Sequence, residues 1–237
     1  MVGINELLEK TEYGFDDLIS IVSILRDKDI GCPWDIKQTH QSIRNNFIEE
    51  TYEVVEAINE NDKDHLLEEL GDVLLKVVLN SSISAMDNVF TIEDVCNGIC
   101  RKLINRHPHV FGRILMNQDG IALRSWDDIK KVEKSQKTVV DTLTSISRTL
   151  PSLMRASKLQ RKANSEGLIN DFDILDICES IQHAVDNVRM GGQVHTIQEI
   201  GSLLMDVVKL SVVCNVEAEE ALYQACEAFI YDMGQKI

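Results

Sequence analysis

Apolar residues recur at the helical period along most of the chain. In FDDLISIVSILRD, Leu18, Ile21, Val22 and Leu25 share one face, which predicts a first long helix. The stretch GCPWD interrupts it: Gly31 and Pro33 supply a turn, and a second helix is expected from near Thr39 to Ile58. Phe47, Ile48, Thr51, Tyr52, Val55 and Ile58 gather on one side of that helix, while Glu49, Glu50, Glu53 and Glu56 project from the other. The polar turn ENDKD leads into HLLEELGDVLLKVVLNSSISAM. There Leu66, Leu67, Leu70, Val73, Leu74, Val77 and Val78 form a broad apolar face, and Leu75 and Leu79 lie almost opposite. Glu69, Asp72 and Lys76 occupy the narrow polar strip between them. A helix apolar on two sides is expected to be mostly buried, and carboxylates inside it demand a cation or strong donors.

The remaining pattern is also helical. TIEDVCNGICRKLINRHPHVFG reads as a helix ended at His107-Pro108, followed by a polar loop from about Gly112 to Leu123 and a charged helix in RSWDDIKKVEKSQK. LPSLMRASKLQRKA opens a second half, with amphipathic helices near Ile174 to Val188 and Ile197 to Val213 and a terminal one from Ala218. The expected fold is therefore all-α, with a first domain over residues 1–148 and a second over 149–237. Within the second, 200-IGSLLMDVV-208 matches 70-LGDVLLKVV-78 in its Gly and most apolar positions, which suggests an internal repeat. Glu199 stands where the first copy has Glu69, Ser202 where it has Asp72, Asn187 for Glu53 and Ala184 for Glu50. The second copy keeps the scaffold and loses most of the acids.

Composition adds limits. Only three Pro, 5% aromatic residues and an apolar fraction of 44% favour helices over turn-rich sheets. A net charge of -15 repels a phosphate backbone, so a nucleic-acid polymer is not the expected partner, and an anionic ligand needs local cations. The N-terminus has no signal-peptide pattern and no apolar run reaches the roughly 20 residues of a membrane span, so a cytoplasmic, non-membrane protein is expected. Six cysteines contain no CxxC pair, and buried free thiols are the reading that follows.

The carboxylates carry the chemistry. Residues three apart on a helix share a face, so Glu50 with Glu53 and Glu69 with Asp72 each form a two-carboxylate clip, and two clips on antiparallel neighbours can converge. Four oxygen ligands suit Mg²⁺, with Mn²⁺ as a substitute, and leave room for phosphate oxygens. The clips contain no His, which argues against zinc and against a di-iron bundle with its Glu-x-x-His pairs. The competing reading of each Glu alone is a solvated acidic face.

ExxE at 50–53, fifteen intervening residues and ExxD at 69–72 resemble the MazG family of all-α nucleoside triphosphate pyrophosphohydrolases. The flanking CPWD, RHPHVFG, SWDDIKKVEK and LPSLMRASKLQRKA segments resemble it too. The resemblance implies tandem helical domains, bundles completed by homodimerisation, Mg²⁺ dependence, and hydrolysis of an NTP or dNTP to monophosphate and pyrophosphate by metal-activated water attack at the α-phosphorus. By position, Glu50, Glu53, Glu69 and Asp72 would hold metal; Lys102 and Arg106 would meet phosphates; Trp126 would contact the nucleotide. Glu49 or Glu53 would assist in deprotonating the water. The second half lacks the acidic set and the basic pair, offering Gln224 and Ala228 or Tyr231, so an active centre is expected in the first half alone. A non-catalytic nucleotide-sensing or partner-binding protein that retains the metal site is the alternative. Trp34 is read as a packing residue that holds the turn to the bundle.

Overall fold

A computed structural model describes residues 3–112, 129, 138–168, 173–189 and 197–235. Every element among them is helical: α1 (Ile4–Glu9), α2 (Phe15–Leu25), α3 (Pro33–Ile36), α4 (His40–Glu60), α5 (Lys63–Met86), α6 (Ile92–Arg106), α7 (Pro108–Phe111), α8 (Val139–Thr144), α9 (Ser152–Ser165), α10 (Ile174–Arg189), α11 (Ile197–Val213) and α12 (Ala218–Gly234). The boundaries follow local chemistry. Thr39 caps α4 by accepting from the Ser42 N–H, Asp62 caps α5 by accepting from the N–H groups of Asp64 and His65, and Thr91 caps α6. Asn61, at φ 56°, takes the left-handed conformation that turns α4 into α5. Pro108 cannot continue α6 and instead starts the short α7.

The chain divides into two compact units, Met1–Arg113 and Ile114–Ile237. The sequence pattern places the junction near Arg148 to Pro151 instead. The difference arises because α8 packs against α9 and so belongs with the second unit. In the first unit α4 and α5 form an antiparallel pair, and α2 and α6 also pack on α5. Val22, Ile43, Val78, Leu79, Ile83 and Ile92 make its core. In the second unit α10 pairs with α11, and α9 and α12 both contact α11, the same neighbour relations in the same chain order. Val78 and Val208, matched in the repeat alignment, are 2% and 1% exposed, so both copies bury the same point of the scaffold.

The turn between α2 and α3 is built around one buried cation. Arg26 is 5% exposed, and its Nη1 donates to the backbone carbonyls of Asp35 and Gln38 while Nη2 lies 3.4 Å from Met86 Sδ. Gly31 closes the turn because an added Cβ would stand 2.4 Å from the Asp27 carbonyl oxygen and 2.6 Å from that of Leu25. Arg26→Met leaves those carbonyls without their charged donor and should lower stability by about 2–4 kcal/mol, measured as a shift in the urea midpoint. At the other end of α2, Asp17 accepts from Lys10 and from the Gly14 N–H, and both hold its carboxyl below the usual carboxylate range.

Two expectations are corrected. α5 is not covered on both apolar sides: Leu67, Leu70 and Leu74 are exposed, and on α4 so are Ile48, Tyr52, Val55 and Ile58. The α4–α5 seam is lined instead by Ile43, Ala57 and the acid-bearing side, because the carboxylates turn toward α5. Nor are the cysteines uniformly buried, since Cys100, Cys178, Cys214 and Cys226 are exposed and only Cys32 and Cys96 are partly covered; all six are free thiols.

Candidate metal centre

The antiparallel pairing of α4 and α5 brings Glu50 opposite Glu69 and Asp72. One carboxylate oxygen from each lies within 4.8 Å of the others. Glu69 is 8% exposed, and its Oε2 is buried with no hydrogen-bond partner among the described residues. Its Oε1 lies 3.3 Å from His65 Nε2, one turn earlier on α5. Lys76 reaches across from α5 and places Nζ 2.9 Å from Glu50 Oε1, both side chains being about 15% exposed. Lys76 is thus the cation the polar strip demanded, but among the described residues it pairs with Glu50 alone.

Glu53, one turn along α4, stands beside this cluster rather than within it. Burial pushes its carboxyl up from the ordinary value, and hydrogen bonding to Glu50 together with the charges of Glu69, Glu50 and Glu49 pushes it further. That shift reflects burial first and then the acids crowded around Glu53. Four carboxylates, Glu50, Glu53, Glu69 and Asp72, face one ammonium. A buried carboxylate oxygen without a donor costs of the order of 1–3 kcal/mol or more, and a hard divalent cation satisfies such an oxygen while offsetting the repulsion. The donor set, all oxygen in its inner part, fits Mg²⁺ or Mn²⁺.

Glu49 is exposed and lies outside the cluster, although its charge reaches Glu53. Lys102 is exposed on α6 and Arg106 is half-buried in its last turn. Trp126 lies outside the described residues. His65 was not singled out in the sequence, yet its i,i+4 spacing to Glu69 was a usable signal. Trp34 departs from its expected packing role: it is 61% exposed and lines a recess with Asp35, Asn46 and Lys76.

Convergent acids on two antiparallel helices, in a chain whose described elements are all helices, define an all-α protein with a candidate carboxylate cation site. The chain belongs to the MazG nucleotide pyrophosphohydrolase family. Residues 38–111 match the model of the MazG nucleotide pyrophosphohydrolase domain, a span that contains all four carboxylates. The chain is 39% identical to the nucleoside triphosphate pyrophosphohydrolase/pyrophosphatase MazG of Thermotoga maritima, over 91% of this chain and 82% of that protein. It is 36% identical to the nucleoside triphosphate pyrophosphohydrolase of Escherichia coli K12, over 90% and 83%. It is also 48% identical to the protein YabN of Bacillus subtilis, where the match spans 63% of this chain and only 30% of the longer relative. No helix among the described residues is long and apolar enough to cross a membrane.

Proposed function

We propose that the protein is a Mg²⁺-dependent nucleoside triphosphate pyrophosphohydrolase that converts an NTP or dNTP to the monophosphate and pyrophosphate, with its active centre in the first unit. The observation that carries this reading is the convergence of Glu50, Glu69 and Asp72, together with a buried Glu69 Oε2 that has no hydrogen-bond partner among the described residues. Relatives that this chain covers for more than four-fifths of their length bear the name of that activity.

Glu50, Glu69 and Asp72 would hold Mg²⁺, with Glu53 as the fourth acidic ligand. When bound, the ion neutralises triphosphate charge and acidifies water. The protein's own groups then divide the work. Glu53, whose carboxyl is already shifted toward proton affinity, is placed to take a proton from the attacking water, with Glu49 as the exposed neighbour able to pass it to solvent. Lys102 and Arg106, four apart on α6, stabilise charge gathering on the leaving pyrophosphate. Trp126 contributes a nucleotide contact. The burial shared by Val78 and Val208, and the matched helix neighbours, support a tandem repeat. In that repeat Ser202 and Ala184 replace ligand positions, so the second unit acts as scaffold.

The exposed stripes on α4 and α5 support a homodimer that covers them. Incubation with a panel of NTPs and dNTPs plus Mg²⁺ tests the reaction. Monophosphate and pyrophosphate should appear together; orthophosphate as the first product, or binding without turnover across the panel, would overturn it.

Lys76 supplies a separate test of the charge balance. Lys76→Met removes the cation that holds Glu50, so the metal-free protein should lose about 1–3 kcal/mol of stability. Mg²⁺ should bind roughly tenfold more tightly, because the competing positive charge has gone. Thermal melts with and without Mg²⁺ measure both effects, which have opposite signs.

A further inference from the structure

The oxygens of the three convergent carboxylates are not equivalent. Lys76, one turn beyond Asp72 on α5, bonds Glu50 Oε1 at 2.9 Å. One turn before Glu69, at the other end of the cluster, His65 Nε2 lies 3.3 Å from Glu69 Oε1. The second oxygen of Glu69, Oε2, is buried and has no hydrogen-bond partner among the described residues. Glu69 is thus a carboxylate with one oxygen engaged by a ring nitrogen and one left over.

The contact follows from where His65 stands. Side chains on a helix lean toward its N-terminus, so Glu69 reaches back over the turn that carries His65. That turn is the first of α5, and the His65 backbone N–H donates to the capping Asp62 Oδ1 at 3.0 Å. The cap therefore fixes the root of the imidazole. The His65 side chain is 31% exposed and that of Glu69 11%, so the ring lies on the solvent side of the carboxylate. An imidazole with its proton on Nε2 donates from that atom whether or not the ring is charged. His65 can orient Glu69 without bringing the full positive charge with which Lys76 opposes an incoming cation.

The number of oxygens offered separates the hard divalent ions. Mg²⁺ demands near-ideal octahedral geometry at about 2.0–2.1 Å, while Ca²⁺ accepts roughly six to eight ligands and takes carboxylates through both oxygens. A Glu69 held by Oε1 presents Oε2 alone, which suits the smaller ion; a Glu69 free to turn has both oxygens to give the larger one. We propose that His65 is a positioning residue of the metal centre, which sets its preference for Mg²⁺ over Ca²⁺ by withholding one oxygen of Glu69. The inference rests on the metal site of the proposed hydrolase and deepens it, assigning the choice of ion to a residue outside the four acids. A His65 that only filled the first turn of α5 would affect both ions alike or neither.

The test compares ions rather than rates. Thermal melts of the full chain across titrations of MgCl₂ and of CaCl₂, without nucleotide, give each Kd from the rise of the midpoint with concentration. Partners that orient a metal ligand are worth roughly 10–100-fold in affinity, so His65→Ala should weaken Mg²⁺ about tenfold and leave Ca²⁺ within about twofold or tighten it. The preference for Mg²⁺ then falls about tenfold. His65→Leu, which fills the space without a donor, should behave as His65→Ala does and decides the matter if that variant fails to fold, as melts in EDTA will show. His65→Gln supplies an amide N–H of similar reach and no charge, and should keep the preference within about threefold of the parent. Equal weakening of both ions in His65→Ala and His65→Leu, no change in either ion, or a His65→Gln as impaired as the donor-free variants would overturn the role of His65. If the parent binds neither ion, the metal site and the hydrolase reading fall as well. If the parent binds them and the variants leave the ratio unmoved, only the role of His65 falls.

Discussion

Glu69→Gln should reduce pyrophosphate release by at least roughly 10²–10³-fold while leaving the fold intact. Glu69 is the most buried of the four acids, and its Oε2 has no donor among the described residues. The amide preserves shape and removes one negative charge from a cluster held at close quarters. The metal-free variant should therefore melt at or above the temperature of the parent, since like-charge repulsion has fallen. The response to Mg²⁺ should be reversed in rank. A ligand at a hundred times its Kd stabilises by about 2.7 kcal/mol, and for a chain of this size each kcal/mol moves the midpoint by about 2–4 °C. A rise of roughly 5–11 °C is expected for the parent at saturating Mg²⁺, and little for the variant. A variant that unfolds without metal would show that Glu69 serves packing; one that keeps full turnover would remove the proposed centre.

The second large effect concerns the surface that α4 and α5 leave uncovered. Ile48, Tyr52, Val55 and Ile58 on α4 and Leu67, Leu70 and Leu74 on α5 are all exposed, Leu67 at 74%. In the proposed homodimer, these apolar stripes at helical spacing on two adjacent helices are the face that the second copy would cover. Burying each Leu, Ile or Val contributes about 1.5–3 kcal/mol. Val55→Arg with Leu67→Arg replaces that gain with the cost of covering two charges and should weaken self-association by a thousandfold or more, roughly 4 kcal/mol. Sedimentation should show a dimer for the parent and a monomer of retained helical content for the double variant. A parent that sediments as a monomer at micromolar concentration would sink the homodimer.

Much of the first unit was legible because helix signals are local. Thr39, Asp62 and Thr91 cap where their side chains can reach the next free N–H groups, and Pro108 stops α6 by its own covalent geometry. The spacing of Glu50, Glu69 and Asp72 also announced the cluster, since three-residue intervals place side chains on one face wherever the helix sits. The direction in which α4 faces was less legible. Its apolar side looks like core in a single chain, whereas the structure turns the acid-bearing side to α5 and leaves the apolar side open. Amphipathicity gives an axis of preference without naming the neighbour that satisfies it. Trp34 departs from its sequence expectation for a related reason: burial of a turn residue depends on what crosses above it, and Trp34 is 61% exposed among the described residues.

The amino-acid order by itself determined the helices, their ends, the reach of each carboxylate pair and the family to which the chain belongs, because these depend on neighbours within a few residues or on motif spacing. Tertiary structure decided which acids meet and that Lys76 spends its charge on Glu50. It also decided that Glu69 retains an oxygen that no donor among the described residues satisfies, and that a recess opens beside Lys76. Those outcomes depend on how α4 and α5 lie against one another. That packing is selected by side chains far apart along the chain, and no local pattern encodes it alone.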